Sequence, residues 1–168
     1  MRRTDREIKD FNEIIEVMKK CDVCRLALNR HCQQEQKSID DECYPYIVPL
    51  NFGMTVNDGT VTLYFHSALE GTKLDLIRCD NRASFEMDCE HELVTEEEHG
   101  NCTMNYKSVI GRGMIEFVPD EEKFNALKIL MKHYHKEYFP FNEKMIPQTA
   151  VFKLTVSEMT GKKRLKTM

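Results

Sequence analysis

No apolar run in this chain approaches the roughly 20 residues needed to cross a bilayer. The opening stretch MRRTDREIKDF lacks the apolar centre of a secretory signal. Both absences predict a cytoplasmic protein with no membrane role. Excess positive charge is missing too: the formal net charge is −4, which gives no reason to expect nucleic-acid binding. There is no internal repeat and no low-complexity linker, so residues 1–168 read as one domain. The seven cysteines are an odd number without a secretory leader, which predicts free thiols in a reducing compartment. What is present is ordinary globular material: 41% hydrophobic and 31% charged residues, enough to build a core and too apolar for disorder.

Periodicity divides the chain into strands and helices. Thr4 to Lys20 reads as a helix, with Thr4 and Glu7 at capping-box spacing and Ile8, Phe11, Ile15 and Met18 as its apolar stripe. Cys21 to Asn29 reads as a strand, and the polar, aperiodic stretch Arg30 to Cys43 as an exposed loop. YPYIVPLNFGMTV and TVTLYFHS flank Asn57-Asp58-Gly59, a strong hairpin signal because a type I′ turn needs positive φ. Pro45 and Pro49 place their strand at an edge or bulge.

A short helix from Gly71 to Cys79 and a strand RASFEMDCE come next. HELVTEEEHGN reads as an acidic loop, and CTMNYKSVIGRGMIEFV as a long strand bent or bulged at Gly111 and Gly113. Pro119 and Asp120 open a second long helix with Phe124, Leu127, Met131 and Tyr134 inward. The final strand is Thr149 to Glu158, followed by a basic tail in which Lys162 to Lys166 reads as a solvated terminus. The fold class predicted is mainly β with α: a small, antiparallel barrel of about six strands with flanking helices.

The segment LYFHSALEGTKLDLI sets a helix start directly behind a strand end. Helix N-termini attract anions because their first N–H groups are unpaired and the dipole is positive there. Ser67 offers a hydroxyl, Gly71 permits close backbone approach and Lys73 adds a charge. The same residues also fit a plain helix cap beside a solvated lysine. Asn51, between apolar neighbours, needs polar partners that a planar heterocycle can supply.

Taken in order, YIVPLNFG, LYFHSALEGTKLDLI and CTMNYKSVIGRGMIEFV resemble the 5-nitroimidazole resistance (Nim) proteins of the pyridoxamine 5′-phosphate oxidase-like, flavin-binding split-barrel superfamily. The likeness runs over nearly the whole chain. It implies that the six-stranded barrel is a split barrel and that the protein is a homodimer with FMN at the interface. It implies that Leu50 and Asn51 line the flavin ring, and that Phe65, His66, Ser67 and Ala68 run beside it. Lys73 and Ser108, joined by Lys107, would hold the phosphate, beside the close backbone approach that Gly71 permits. His66 becomes the candidate catalytic residue, either as a proton carrier or as a passive contact to the cofactor. The implied activity is reduction of small electron-poor substrates such as 5-nitroimidazoles, with NADH, NADPH or another cellular reductant as donor. The alternative is a non-catalytic flavin- or haem-binding split barrel. The loop from Arg30 to Cys43 is longer than the resemblance implies.

Other groups read as structural. Cys21-Asp22-Val23-Cys24 has CxxC spacing, with His31 and Cys32 nearby, but no glycine forms a knuckle and no second CxxC exists. His133 and His135 are two apart, so they do not share a helix face. No metal site is expected.

Overall fold

The computed structural model describes residues 3–30, 44–135, 137 and 139–166. The long loop expected at 30–43 therefore lies almost wholly outside the described residues. In chain order the elements are β1 (Glu7–Ile8), α1 (Phe11–Lys20), β2 (Cys24–Leu28), β3 (Tyr46–Leu50), β4 (Gly53–Asn57), β5 (Thr60–Ala68), α2 (Thr72–Cys79), β6 (Arg82–Glu96), β7 (Asn101–Phe117), α3 (Asp120–Tyr134) and β8 (Thr149–Arg164). Short 3₁₀ turns cover Thr4–Arg6, Glu97–His99 and Glu143–Gln148.

All strands belong to one antiparallel sheet in the order β3-β2-β6-β7-β8-β5-β4, with β1 added on β8. β3 and β4 occupy opposite ends of that order, yet only Asn51 and Phe52 separate them in the chain. Two residues reach no further than about 10 Å, so the sheet must curl until its margins face each other. The result is a barrel with an open seam. The strand count is eight rather than the six expected, because YPYIVPLNFGMTV divides at Asn51 and because Glu7–Ile8 forms a strand.

Inside the curl, Phe52, Phe65, Phe85 and Phe152 pack with Leu26, Leu63, Leu154 and Met18 in one core. The hairpin at Asp58-Gly59 has φ 49° and 78°, as a type I′ turn requires. Pro49 stands on the edge strand β3, as expected. The bend in β7 also forms as expected, at a register shift between Arg112 and Gly113. A Cβ on Gly113 would meet the Thr155 carbonyl at 2.0 Å, so the crossing closes only over glycine.

Four local expectations are corrected. The Thr4–Glu7 capping box does not form: Ile8 pairs with Gly161 of β8, and α1 starts at Phe11, capped by the Asp10 carboxylate, which accepts from the Asn12 N–H at 2.8 Å. The acidic loop is instead the end of β6 and the start of β7, reached past a bulge between Cys89 and Glu92. In α3 the buried residues are Lys123, Ala126 and Leu130, while Phe124, Leu127, Met131 and Tyr134 are only half-buried. The helix turns this face inward because its backbone at Leu130 lies directly over Gly53, where an added Cβ would sit 2.5 Å away. The basic tail is not a free terminus: β8 continues to Arg164, paired with β7 throughout and with β1 at Gly161 and Lys162.

Candidate functional site

β5 alternates cleanly. Val61, Leu63 and Phe65 point into the core, and His66 faces outward. Phe65 is fully buried and stacks on Phe152 at 5.4 Å, so only its backbone is open to a ligand. Ser67 is half-buried and donates its hydroxyl to the Ala68 carbonyl at 2.8 Å, which turns it away from capping α2. The N-cap of α2 is Gly71, at φ +130° and with open space around its Cα. Its carbonyl accepts from Leu74 at 2.9 Å and Asp75 at 3.4 Å, so the amides of Thr72 and Lys73 precede the first helical bonds. Crowding by neighbouring atoms, and then the positive charge of Lys73, hold the His66 imidazole below its usual pKa. His66, Lys73 and the helix start thus share one corner.

Asn51 belongs to the same corner. The chain enters β4 at Gly53, the partner of Tyr64, so Asn51 lies two residues before that ladder and His66 two residues past Tyr64, while Leu50 is still paired with Cys24 of β2. The corner is clamped from α3. The Tyr134 hydroxyl accepts from the Phe52 N–H at 3.0 Å and donates to the Asp22 carbonyl at 2.8 Å. The His133 ring bonds the Cys21 carbonyl at 2.8 Å and lies 4.3 Å from the Phe52 ring. Asn51 itself stays exposed beside this clamp, and Leu50 is half-buried against the core. The sequence signal for the clamp, an aromatic pair in the last turn of α3, reads equally well as ordinary core.

Lys107 and Ser108 are not brought to that corner within one chain. Ser67 is opposite Ala150 on β8, whereas Ser108 is opposite Lys162. Those twelve residues correspond to roughly 40 Å of strand. Lys107 is held by Glu90 at 2.9 Å, and Lys20 grips the same carboxylate. Ser108 lies on the outer face of β7 with Ile110 and Arg112, half-buried.

The cysteines of the CxxC pair are both buried. Cys21 donates its thiol to the Val17 carbonyl at 3.2 Å, and burial pushes both thiols well above the usual range. His31 and Cys32 lie outside the described residues.

A profile of the pyridoxamine 5′-phosphate oxidase family matches residues 10–163. The chain belongs to that family. Among solved structures, a candidate 5-nitroimidazole antibiotic resistance protein from Bacteroides thetaiotaomicron is 34% identical over 93% of this chain and 85% of its own, with a TM-score of 0.74. An FAD- and heme-binding protein from Mycobacterium smegmatis shares the fold at 16% identity, covering 96% and 74% of the two chains, with a TM-score of 0.74. An FAD-binding protein from Mesorhizobium loti shares it at 23% identity, covering 95% and 98%, with a TM-score of 0.59. No curated protein matches the chain. Among the described residues no helix is long and apolar enough to cross a membrane.

Proposed function

We propose that this protein is a homodimeric FMN-binding reductase of small electron-poor compounds, 5-nitroimidazoles among them, with NADH or NADPH supplying electrons. The observation that carries the reading is the shared corner of Asn51, His66, Gly71 and Lys73, on a family member 34% identical to a candidate nitroimidazole resistance protein. The donor set fits a flavin mononucleotide. The α2 amides and Lys73 suit a phosphate, and the exposed Asn51 amide suits the edge of a polar ring. Leu50, Ser67 and Ala68 flank that path, with Phe65 contributing only backbone.

The dimer follows from what one chain leaves incomplete. Ser108 and Lys107 lie about twelve residues of β8 from the α2 corner of their own chain, so a second copy would bring them to a phosphate there once Lys107 leaves Glu90. An apolar surface is available for such a copy: Ile47, Ile110 and Met114 are 62%, 57% and 44% exposed on the outer face of the sheet. Met114 lines a concavity of about 690 Å³ with Ala27, Pro45, Ser84 and Arg112.

When bound, the flavin supplies the electron transfer, and the chain supplies position and protons. With its pKa depressed, His66 is neutral at pH 7 and presents a ring nitrogen able to accept a proton. An anion on Lys73 offsets the charge that holds His66 down and so favours the protonated, donating form.

The absorbance spectrum of the purified protein, followed by addition of NADH or NADPH, tests the reading. Flavin bands bleached by a nicotinamide donor and restored by a nitroimidazole are expected, with FMN rather than FAD released on denaturation. A Soret band, or a flavin that no donor reduces, would establish the non-catalytic alternative.

A further inference from the structure

The cations of β8 divide by face. Lys163 points inward and meets Glu13 of α1 at 2.7 and 2.9 Å, and Lys166, just beyond the strand, meets Glu96 at 3.0 Å. Lys162 and Arg164 point outward, and among the described residues neither has a carboxylate within ion-pair distance. Tyr106 is the direct strand partner of Arg164, and Ser108 of Lys162, so the four side chains share one patch of the outer face. The Lys162 ammonium lies 5.8 Å from the centre of the Tyr106 ring. Arg164 Nε is buried without a hydrogen-bond acceptor.

Arg6 enters the same patch from the turn before β1, its side chain only 19% exposed. Its closest carboxylate, Asp5, is 3.9 Å away and already doubly bonded by Arg3 at 2.6 and 2.8 Å. Glu7, opposite Lys162 on β1, forms no ion pair among the described residues. Burial pushes the Tyr106 phenol up, but Lys162 and Arg6 beside it outweigh that, and its pKa is lowered overall.

The orphaned Arg164 Nε–H, the Ser108 hydroxyl and two half-buried cations, Lys162 and Arg6, whose shared side-chain partner is the Tyr106 hydroxyl, form a donor set with no ion-paired carboxylate but the distant Asp5 among the described residues. Leaving a buried donor unmade is costly, and arginine with lysine and hydroxyls is the combination that recognises tetrahedral dianions. We infer that Arg6, Tyr106, Ser108, Lys162 and Arg164 form a binding site for a phosphate group. Ser108 had been implicated through the family resemblance; the other four had not. The patch lies roughly 40 Å of strand from α2 of its own chain, so it is a site of its own in one copy. The phosphate comes either from a free phosphate-bearing metabolite or from a flavin held by a second copy. Only the second source rests on the function proposed above.

Calorimetry in phosphate-free chloride buffer separates these cases. Inorganic phosphate and pyrophosphate are titrated into wild type, into Lys162→Gln/Arg164→Gln, and into Lys163→Gln, which removes a like charge from the inward face. Phosphate binding should weaken at least 10-fold in the double variant and change less than 2-fold in Lys163→Gln. FMN and riboflavin are then titrated into the same proteins. Weakened FMN with unchanged riboflavin identifies the flavin phosphate as the source; no change in either flavin, or no flavin binding at all, identifies a free phosphate. Equal phosphate binding by wild type and the double variant, or an equal loss in Lys163→Gln, overturns the site.

Discussion

Lys73 lies close enough to His66 for its charge to hold the imidazole pKa down. The two residues sit on either side of the strand-to-helix junction, one on the last turns of β5's alternation and one in the first turn of α2. Charge at the helix start and protonation on the strand are thereby linked.

That link is measurable. The His66 pKa, read by NMR, should lie below the usual value near 6.5. Lys73→Gln should raise it part of the way, because crowding, the larger cause, persists. Since the folded state resists protonating His66, the unfolded chain takes up the proton first. Stability from this group is therefore full above about pH 6.5 and declines as the pH falls through the folded pKa. An unchanged pKa in Lys73→Gln would separate the two residues.

Lys73→Ala should weaken FMN binding by roughly 1.5–3 kcal/mol, the scale of a charge-assisted hydrogen bond. Riboflavin, which lacks the phosphate, should bind both proteins nearly equally. Equal loss for both flavins would assign Lys73 to folding.

His66→Ala should leave a yellow protein with near-normal flavin affinity. Reoxidation of the reduced flavin by a nitroimidazole, read by stopped flow at saturating donor, should slow about 10-fold or more. A colourless protein would make His66 a cofactor ligand; an unchanged rate would remove it from the reaction.

Tyr134→Phe deletes both hydrogen bonds of the clamp and leaves the Phe52 N–H without its partner. A loss of about 1–3 kcal/mol in urea unfolding is expected. Phe124→Ala, on the same helix but away from the corner, provides the comparison: it should lower stability without altering flavin affinity, whereas Tyr134→Phe should lower both.

Sedimentation at micromolar concentration should give a dimer, and Ile110→Glu should give a monomer that has lost flavin. A wild-type monomer with flavin bound would contradict the shared site.

The strand-to-helix junction at Ser67–Lys73 was legible because alternation stops there and a glycine follows. The Asp58-Gly59 turn and the Pro119 start of α3 were legible for similar local reasons. The N-terminal capping box misled because its competitor is distant: Gly161 leaves room for Ile8 and Ile14, with an added Cβ only 2.8 Å from Ile14 and 3.0 Å from Ile8. The acidic segment hid a strand because its ribbon is largely solvent-facing, with Leu93 59% exposed and Val94 buried, so charge masks the alternation. At the site, residue types were readable but reach was not. Asn51 is carried toward His66 by the Gly53–Tyr64 pairing that follows it, and Ser108 is separated from Lys73 along the length of β8.

Pro49 has one more consequence. It stands in an unbroken ladder with β2, so the donor it lacks belongs to the side facing the seam. A foreign strand trying to dock on that margin finds a missing rung, which guards the barrel against edge-to-edge aggregation. That missing rung lies two residues before Asn51, so the margin is guarded next to the corner where the Asn51 side chain is displayed.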